Sequence, residues 1–217
     1  MAAGDLINKV TNPALPVTPK GTAISGYLDD LNNILRLFFN GLSNSVNLLT
    51  GEYGGRFLSV PNAKFFSTTD QNAAAPNTAY ALQFENTYLG EAISIAGSPK
   101  TQITPTHSGV YNFALSVELN STSASTKTVN FWVRRSGVDI ANTAREHVIA
   151  GSGSINVFSY TFSIDVQAGQ YIELMWASDD TNITLDHQAA ASPAPVVPST
   201  LVTVNLISAL PETLPTP

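Results

Sequence analysis

The sequence contains no cysteine, which excludes disulfides, thiolate metal sites and a cysteine nucleophile. Charge is also scarce: only 12% of the residues carry it, about half the usual share. Solubility must therefore come from Ser, Thr, Asn and Gln, as suits a protein packed against copies of itself or a larger assembly. Lys and Arg number 10 against 16 acidic residues, for a net charge of −6. A nucleic-acid partner would need a basic stripe to neutralise phosphates, so none is expected. No apolar run approaches the roughly 20 residues of a membrane span, so no membrane insertion is expected. The opening Met1-Ala-Ala-Gly-Asp-Leu6 lacks the basic and apolar regions of a signal peptide. Synthesis in a host cytoplasm without ordinary secretion follows as an expectation.

Catalytic and metal signatures are missing too. There is no Gly-x-Ser-x-Gly elbow and no phosphate-binding loop. His107, His147 and His187 lie too far apart for a local metal motif. Asp179-Asp180 could seed a Ca²⁺ site, but a solvated turn is the preferred reading. No catalytic residue, metal or cofactor is expected. The sharpest enzymatic rival, a glycan-degrading tailspike, needs two carboxylates about 5–10 Å apart in a cleft. Glu118, Asp165, Glu173 and Asp186 are available, but the sequence does not pair them.

What is present divides the chain in four. Residues 1–23 carry Pro13, Pro16, Pro19 and Gly21 and read as an extended arm. Residues 24–52 read as one long helix. Leu28, Leu35, Leu42 and Leu49 recur at one heptad position, and Ile24, Leu31 and Phe38 at another, with Ser45 filling the gap. Tyr27, Ile34, Val46 and Leu48 widen this stripe beyond a two-stranded seam. The stripe fits a bundle of helices on a symmetry axis; the alternative is one amphipathic helix folded onto the rest of the chain. Gly51, Gly54 and Gly55 stop the helix.

Residues 57–209 read as β-structure, and 210–217 as a Pro-rich tail. From Val110 to Leu119, Tyr111, Phe113, Leu115, Val117 and Leu119 share one face. From Asn156 to Val166, Phe158, Tyr160, Phe162, Ile164 and Val166 do the same. Further strands are expected at 64–68, 79–84, 92–95, 129–135, 145–149, 171–177, 182–186 and 201–207. About ten strands of period two, broken by Gly, Ser, Asn and Pro turns, indicate a mainly β, antiparallel jelly-roll sandwich.

Gly109-Val-Tyr111-Asn-Phe113 resembles the Gly-x-Tyr-x-Phe pattern of the tumour-necrosis-factor-like jelly rolls, including the heads of the first complement component. Ala168-Gly-Gln-Tyr171-Ile-Glu-Leu174 is similar to that family's Gly-Asp-x-Val-x-Leu segment, with Gln170 replacing the acidic residue. The resemblance covers most of residues 65–208 and implies a homotrimer. A second one covers nearly the whole chain. Leu35-Arg-Leu-Phe-Phe-Asn40, Gly54-Gly-Arg-Phe-Leu-Ser59, Tyr171-Ile-Glu-Leu-Met-Trp176 and Pro198-Ser-Thr-Leu-Val-Thr203 are similar to small virion-associated proteins of tailed phages, especially cyanophages. It implies a virion component at the particle surface, attached to a capsid or tail protein through residues 1–55. Capsid decoration or a head fibre is slightly favoured; a short tail fibre ending in a receptor-binding knob is the alternative. A free lectin-like adhesin would need the missing secretion signal.

Two apolar surfaces are expected to hold the trimer together. One is the helix seam of Ile24, Leu28, Leu31, Leu35, Phe38, Leu42 and Leu49. The other is an outer sheet face: Tyr171 and Met175 lie opposite Ile172, Leu174 and Trp176, and Leu201 and Ile207 oppose Val202, Val204 and Leu206. A lone sandwich gains nothing from exposing such residues, whereas an axis would bury them. In the resembled family the strand matching 171–177 lines that axis. Trp132, opposite Phe131 and Val133, should point outward and is a candidate receptor contact, able to stack on a sugar ring of a host surface glycan.

Overall fold

The computed structural model describes residues 24–50 and 60–209. The arm at 1–23, the glycine break at 51–55 and the tail at 210–217 lie outside the described residues, as does the side chain of Leu49. The chain forms two compact units, residues 1–59 and 60–217.

In the first unit, helix α1 spans Ile24–Thr50. Its 27 residues make it about 40 Å long at 1.5 Å per residue. Neither terminal turn carries a charge that would offset the helix dipole: no acidic residue lies in the first and no basic one in the last. Its stability must come from burying its apolar stripe rather than from its ends.

Among its described residues the second unit holds fourteen strands: β1 Asn62–Ser67, β2 Gln71–Asn72, β3 Tyr80–Ala81, β4 Asn86–Glu91, β5 Ile93–Ala96, β6 Gln102–Pro105, β7 Gly109–Ser121, β8 Lys127–Arg135, β9 Val138–Asp139, β10 Arg145–Ile149, β11 Ser154–Val166, β12 Ile172–Ser178, β13 Ile183–Leu185 and β14 Thr200–Ala209. They build two sheets. The first runs β11–β7–β14–β1–β4, with β13 and β2 continuing the lanes of β14 and β1; the second runs β10–β8–β12–β6–β5, with β9 and β3 continuing the lanes of β10 and β6. Every pairing is antiparallel. From β6 onward the chain passes back and forth between the sheets, giving the nested order of a jelly roll.

Alternation produces this arrangement. Along β7 inward and outward residues alternate without interruption for 13 positions. Strand β11 pairs with it along the whole length, from Ser154 opposite Ser121 to Val166 opposite Gly109. The inward rings form a ladder. Phe113 stacks on Phe162 at 5.1 Å between centroids, Phe162 meets Tyr160 at 5.0 Å, and Phe158 stacks on Phe131 of the opposite sheet at 4.2 Å. Each fully buried ring of this kind contributes about 1.5–3 kcal/mol through burial alone.

The Gly-x-Tyr-x-Phe motif has a local physical reason. A Cβ on Gly109 would run into the Leu206 side chain and lie 3.0 Å from the Ser208 carbonyl oxygen and 3.1 Å from the Tyr111 ring. Tyr111 is fully buried and donates its hydroxyl proton to the His107 carbonyl at 2.7 Å. Four strands escape the sequence pattern: β2, β4, β6 and β9. Strand β4 is a sheet edge in which a bulge at Tyr88 breaks the alternation.

Candidate self-association and recognition surfaces

The helix seam comes first. Ile24, Leu28 and Leu42 are 58%, 50% and 38% exposed, and Leu31, Leu35 and Phe38 are half-buried. No seam residue with a described side chain is buried. Leu37 and Phe39 beside the seam are exposed as well. A single copy thus leaves its widest apolar stripe in water.

The sandwich offers two outer faces, and they differ in chemistry. Leu201 and Ile207 belong to the first sheet, whereas Tyr171 and Met175 border or belong to β12 of the second. These two pairs therefore point in opposite directions and cannot form one continuous apolar surface. The reason is the pairing: β14 lies in the first sheet between β7 and β1, and β12 in the second between β8 and β6. Met175 is only 2% exposed in one chain, flanked by its cross-strand partners Trp132 and Ala81. Its burial requires no second subunit. Tyr171 is half-buried, and its hydroxyl reaches the tip of the β8–β9 hairpin near Gly137.

The first sheet's outer face is the more apolar. Ile155 and Val157 of β11 are exposed, as are Ile207, Leu89 and Tyr88, the last at 75%. A recess of about 400 Å³ opens there between Lys64, Phe66, Tyr88, Val196, Pro198 and Leu201. The Lys64 ammonium sits 5.1 Å from the centre of the Tyr88 ring, a cation–π contact at its rim. On the same sheet, burial raises the Glu118 pKa, and the nearby Asp186 carboxylate adds to the shift.

The second sheet's outer face is polar and knitted together by charge. Trp132 points outward, and its Nε1–H donates to Asp139 Oδ1 at 2.9 Å. Arg134 Nε donates to the same oxygen at 2.7 Å. Together these bonds, Arg134 first and Trp132 second, hold the Asp139 carboxyl below its usual pKa. Asp139 reaches them because Ser136 and Gly137 both adopt positive φ, 46° and 84°, closing a two-residue hairpin. The Ser-Gly turn was the only signal in the sequence for this pairing.

The remaining candidates are occupied internally. Asp180 accepts from the Asn182 backbone N–H at 2.9 Å, from Lys127 Nζ at 2.9 Å and from Ser123 at 2.9 Å. These bonds hold its carboxyl far below the ordinary range. Asp179 accepts from the Thr128 N–H at 3.1 Å. The pair thus pins a turn to the start of β8. Asp165 is held by Arg135 and Glu173 by Thr101. Among the described residues no group of three metal-ligating side chains converges.

No protein-family model and no curated protein matches the sequence. Among solved structures, the chain is similar to murine APRIL at pH 5.0, with 11% identity and a TM-score of 0.44 over 68% of this chain and 99% of that one. It is also similar to Eiger TNF from S. frugiperda, with 12% identity and a TM-score of 0.46 over 73% of this chain and 99% of that one.

Proposed function

We propose that the protein is a homotrimeric structural component of a tailed-phage virion, anchored through residues 1–55 and displaying its jelly roll on the particle surface. The observation that carries the trimer is the exposed heptad seam of α1. A free helix with uncompensated ends and three of its five described leucine side chains (Leu28, Leu37 and Leu42) exposed to water has little reason to persist, whereas three copies bury the stripe between them. The apolar outer face of the β11–β7–β14–β1–β4 sheet supports the same reading for the sandwich, with the recess beside Tyr88 as a seat for a neighbour's apolar side chain. In this arrangement Tyr171 and Met175 stay on the displayed side.

The virion assignment is supported by the resemblance of four sequence segments to small phage virion proteins, and by a surface poor in charge. No catalytic group is invoked. Capsid decoration or a head fibre is favoured slightly over a tail fibre, with α1, about 40 Å long, as a short stalk. Quantitative mass spectrometry of purified particles tests this. Hundreds of copies per particle fit shell decoration, a dozen or so fit the tail, and absence from particles overturns the virion reading.

A further inference from the structure

The outer face of the first sheet is apolar towards its two edges and different in charge at each. At one edge Ile155 and Val157 of β11 are exposed. Towards the other lies the recess walled by Phe66 of β1, Tyr88 of β4 and Leu201 of β14. Between them β7 turns small or polar side chains outward, among them Asn112, Ala114 and Ser116. Val157 has Glu118 as its cross-strand partner. The Glu118 N–H points away from β11, to the Ser199 carbonyl, so the two form a non-hydrogen-bonded pair, the kind that brings side chains closest. Asp186 lies near enough to Glu118 to raise its pKa further than burial does, so this edge is acidic. The charged residue of the recess is a cation, Lys64. Among the described residues no ion pair involves Glu118 or Lys64.

Two kinds of contact could use these patches. Like edges meeting about a two-fold axis would close at two copies and set carboxylates against carboxylates. Unlike patches meeting head to tail bring an acidic edge to a basic recess, and such contacts close into a ring when the rotation involves no rise. Strand register meets that condition. Ser159, Ser116, Leu201 and Phe66 form one row across the sheet. Val157 and Glu118 stand in the next row on this face, two residues along, and on β1 that step leads from Phe66 to Thr68, which also lines the recess. The two patches thus share one height, and rotation about an axis parallel to the strands carries one onto the other. Within a single chain they cannot meet, because β11 and β4 are four strand spacings apart, about 19 Å.

We propose that Val157, with Ile155 beside it, seats in the recess of the next copy between Phe66, Tyr88 and Leu201, and that this head-to-tail contact closes the ring of sandwiches. The proposal rests on the homotrimeric reading and names the contact within it. Because the sequence has no cysteine, introduced thiols report alone. The full chain carrying both Val157→Cys and Thr68→Cys, treated with a short bismaleimide at micromolar concentration, should yield a covalent trimer on a denaturing gel. Either single variant should stay one chain, and mixing the two singles should give covalent dimers. Leu201→Cys in place of Thr68→Cys repeats the test one row away. Light scattering on the same samples separates the two ways to fail. A trimeric mass with no crosslink at either receiving position overturns this contact alone, whereas a mass of one chain removes the trimer and the contact with it. Dimers from Val157→Cys by itself would mean that like edges meet, and a ladder beyond three chains that the contact climbs instead of closing; both overturn the proposal.

Discussion

Replacing Gly109 by Ala tests how the jelly roll is closed. The backbone there has no left-handed φ, so alanine is not strained by its dihedrals. The problem is space. Its methyl would meet Leu206, the Ser208 carbonyl oxygen at 3.0 Å and the Tyr111 ring at 3.1 Å. Leu206 is a partly buried side chain that can turn aside. Ser208 is backbone held in the ladder of β14 with β7, and Tyr111 is fully buried and bonded to His107. Overpacking of this kind costs about 1–3 kcal/mol. Removing glycine's freedom from the unfolded chain returns about 0.4–1 kcal/mol. The net loss should be about 1–2 kcal/mol, or a fall in melting temperature of roughly 2–8 °C for a unit of this size. Urea denaturation followed by near-ultraviolet circular dichroism reads the β unit, at one fixed protein concentration. A higher midpoint for Gly109→Ala would mean that β14 yields at its end, and the close approach would not explain the glycine.

Further outcomes follow from the other contacts. Leu35→Asp places a charge in the helix seam at a cost of several kcal/mol if buried, and should shift the protein towards monomers in sedimentation velocity while near-ultraviolet dichroism of the sandwich is retained. Val157→Asp should weaken association and Tyr171→Asp should not; the reverse pattern would move the contact to the second sheet. Asp180 has a lowered pKa in the fold, so its stabilisation is present above its unfolded value near 3.8 and is lost as pH falls. Asp180→Asn should therefore lower the melting temperature at neutral pH and flatten the acid limb of the stability profile; an unchanged limb refutes the role of that turn. Deletion of residues 1–55 should leave a soluble β unit that no longer joins particles, and normal incorporation would place the anchor in the sandwich.

Much of the fold could be read from the sequence where one physical signal dominates. Strands β7 and β11 alternate over long runs, and the helix shows its heptads, because each element has one dry face and one wet one. Strands β4 and β6 lack a long run: the first is a bulged edge with little to bury, and the second alternates over only four residues ending in Pro105. Period two also reveals that Tyr171 and Met175 share a face without saying which sheet bears it. That depends on non-local pairing, and the pairing separated them from Leu201 and Ile207. The polar site was half visible. Trp132 could be read as outward-facing from its neighbours, but its hydrogen-bond partner Asp139 sits on a two-residue strand too short to show a period.

The trimer itself is tested most directly by the mass of the full chain in solution. Multi-angle light scattering at micromolar concentration should give about 69 kDa, three chains of 23.0 kDa, and Leu28→Asp combined with Leu35→Asp should lower it. A stable mass of one chain would contradict the account, because the exposed seam of α1 would then be a solvent-facing stripe rather than an interface.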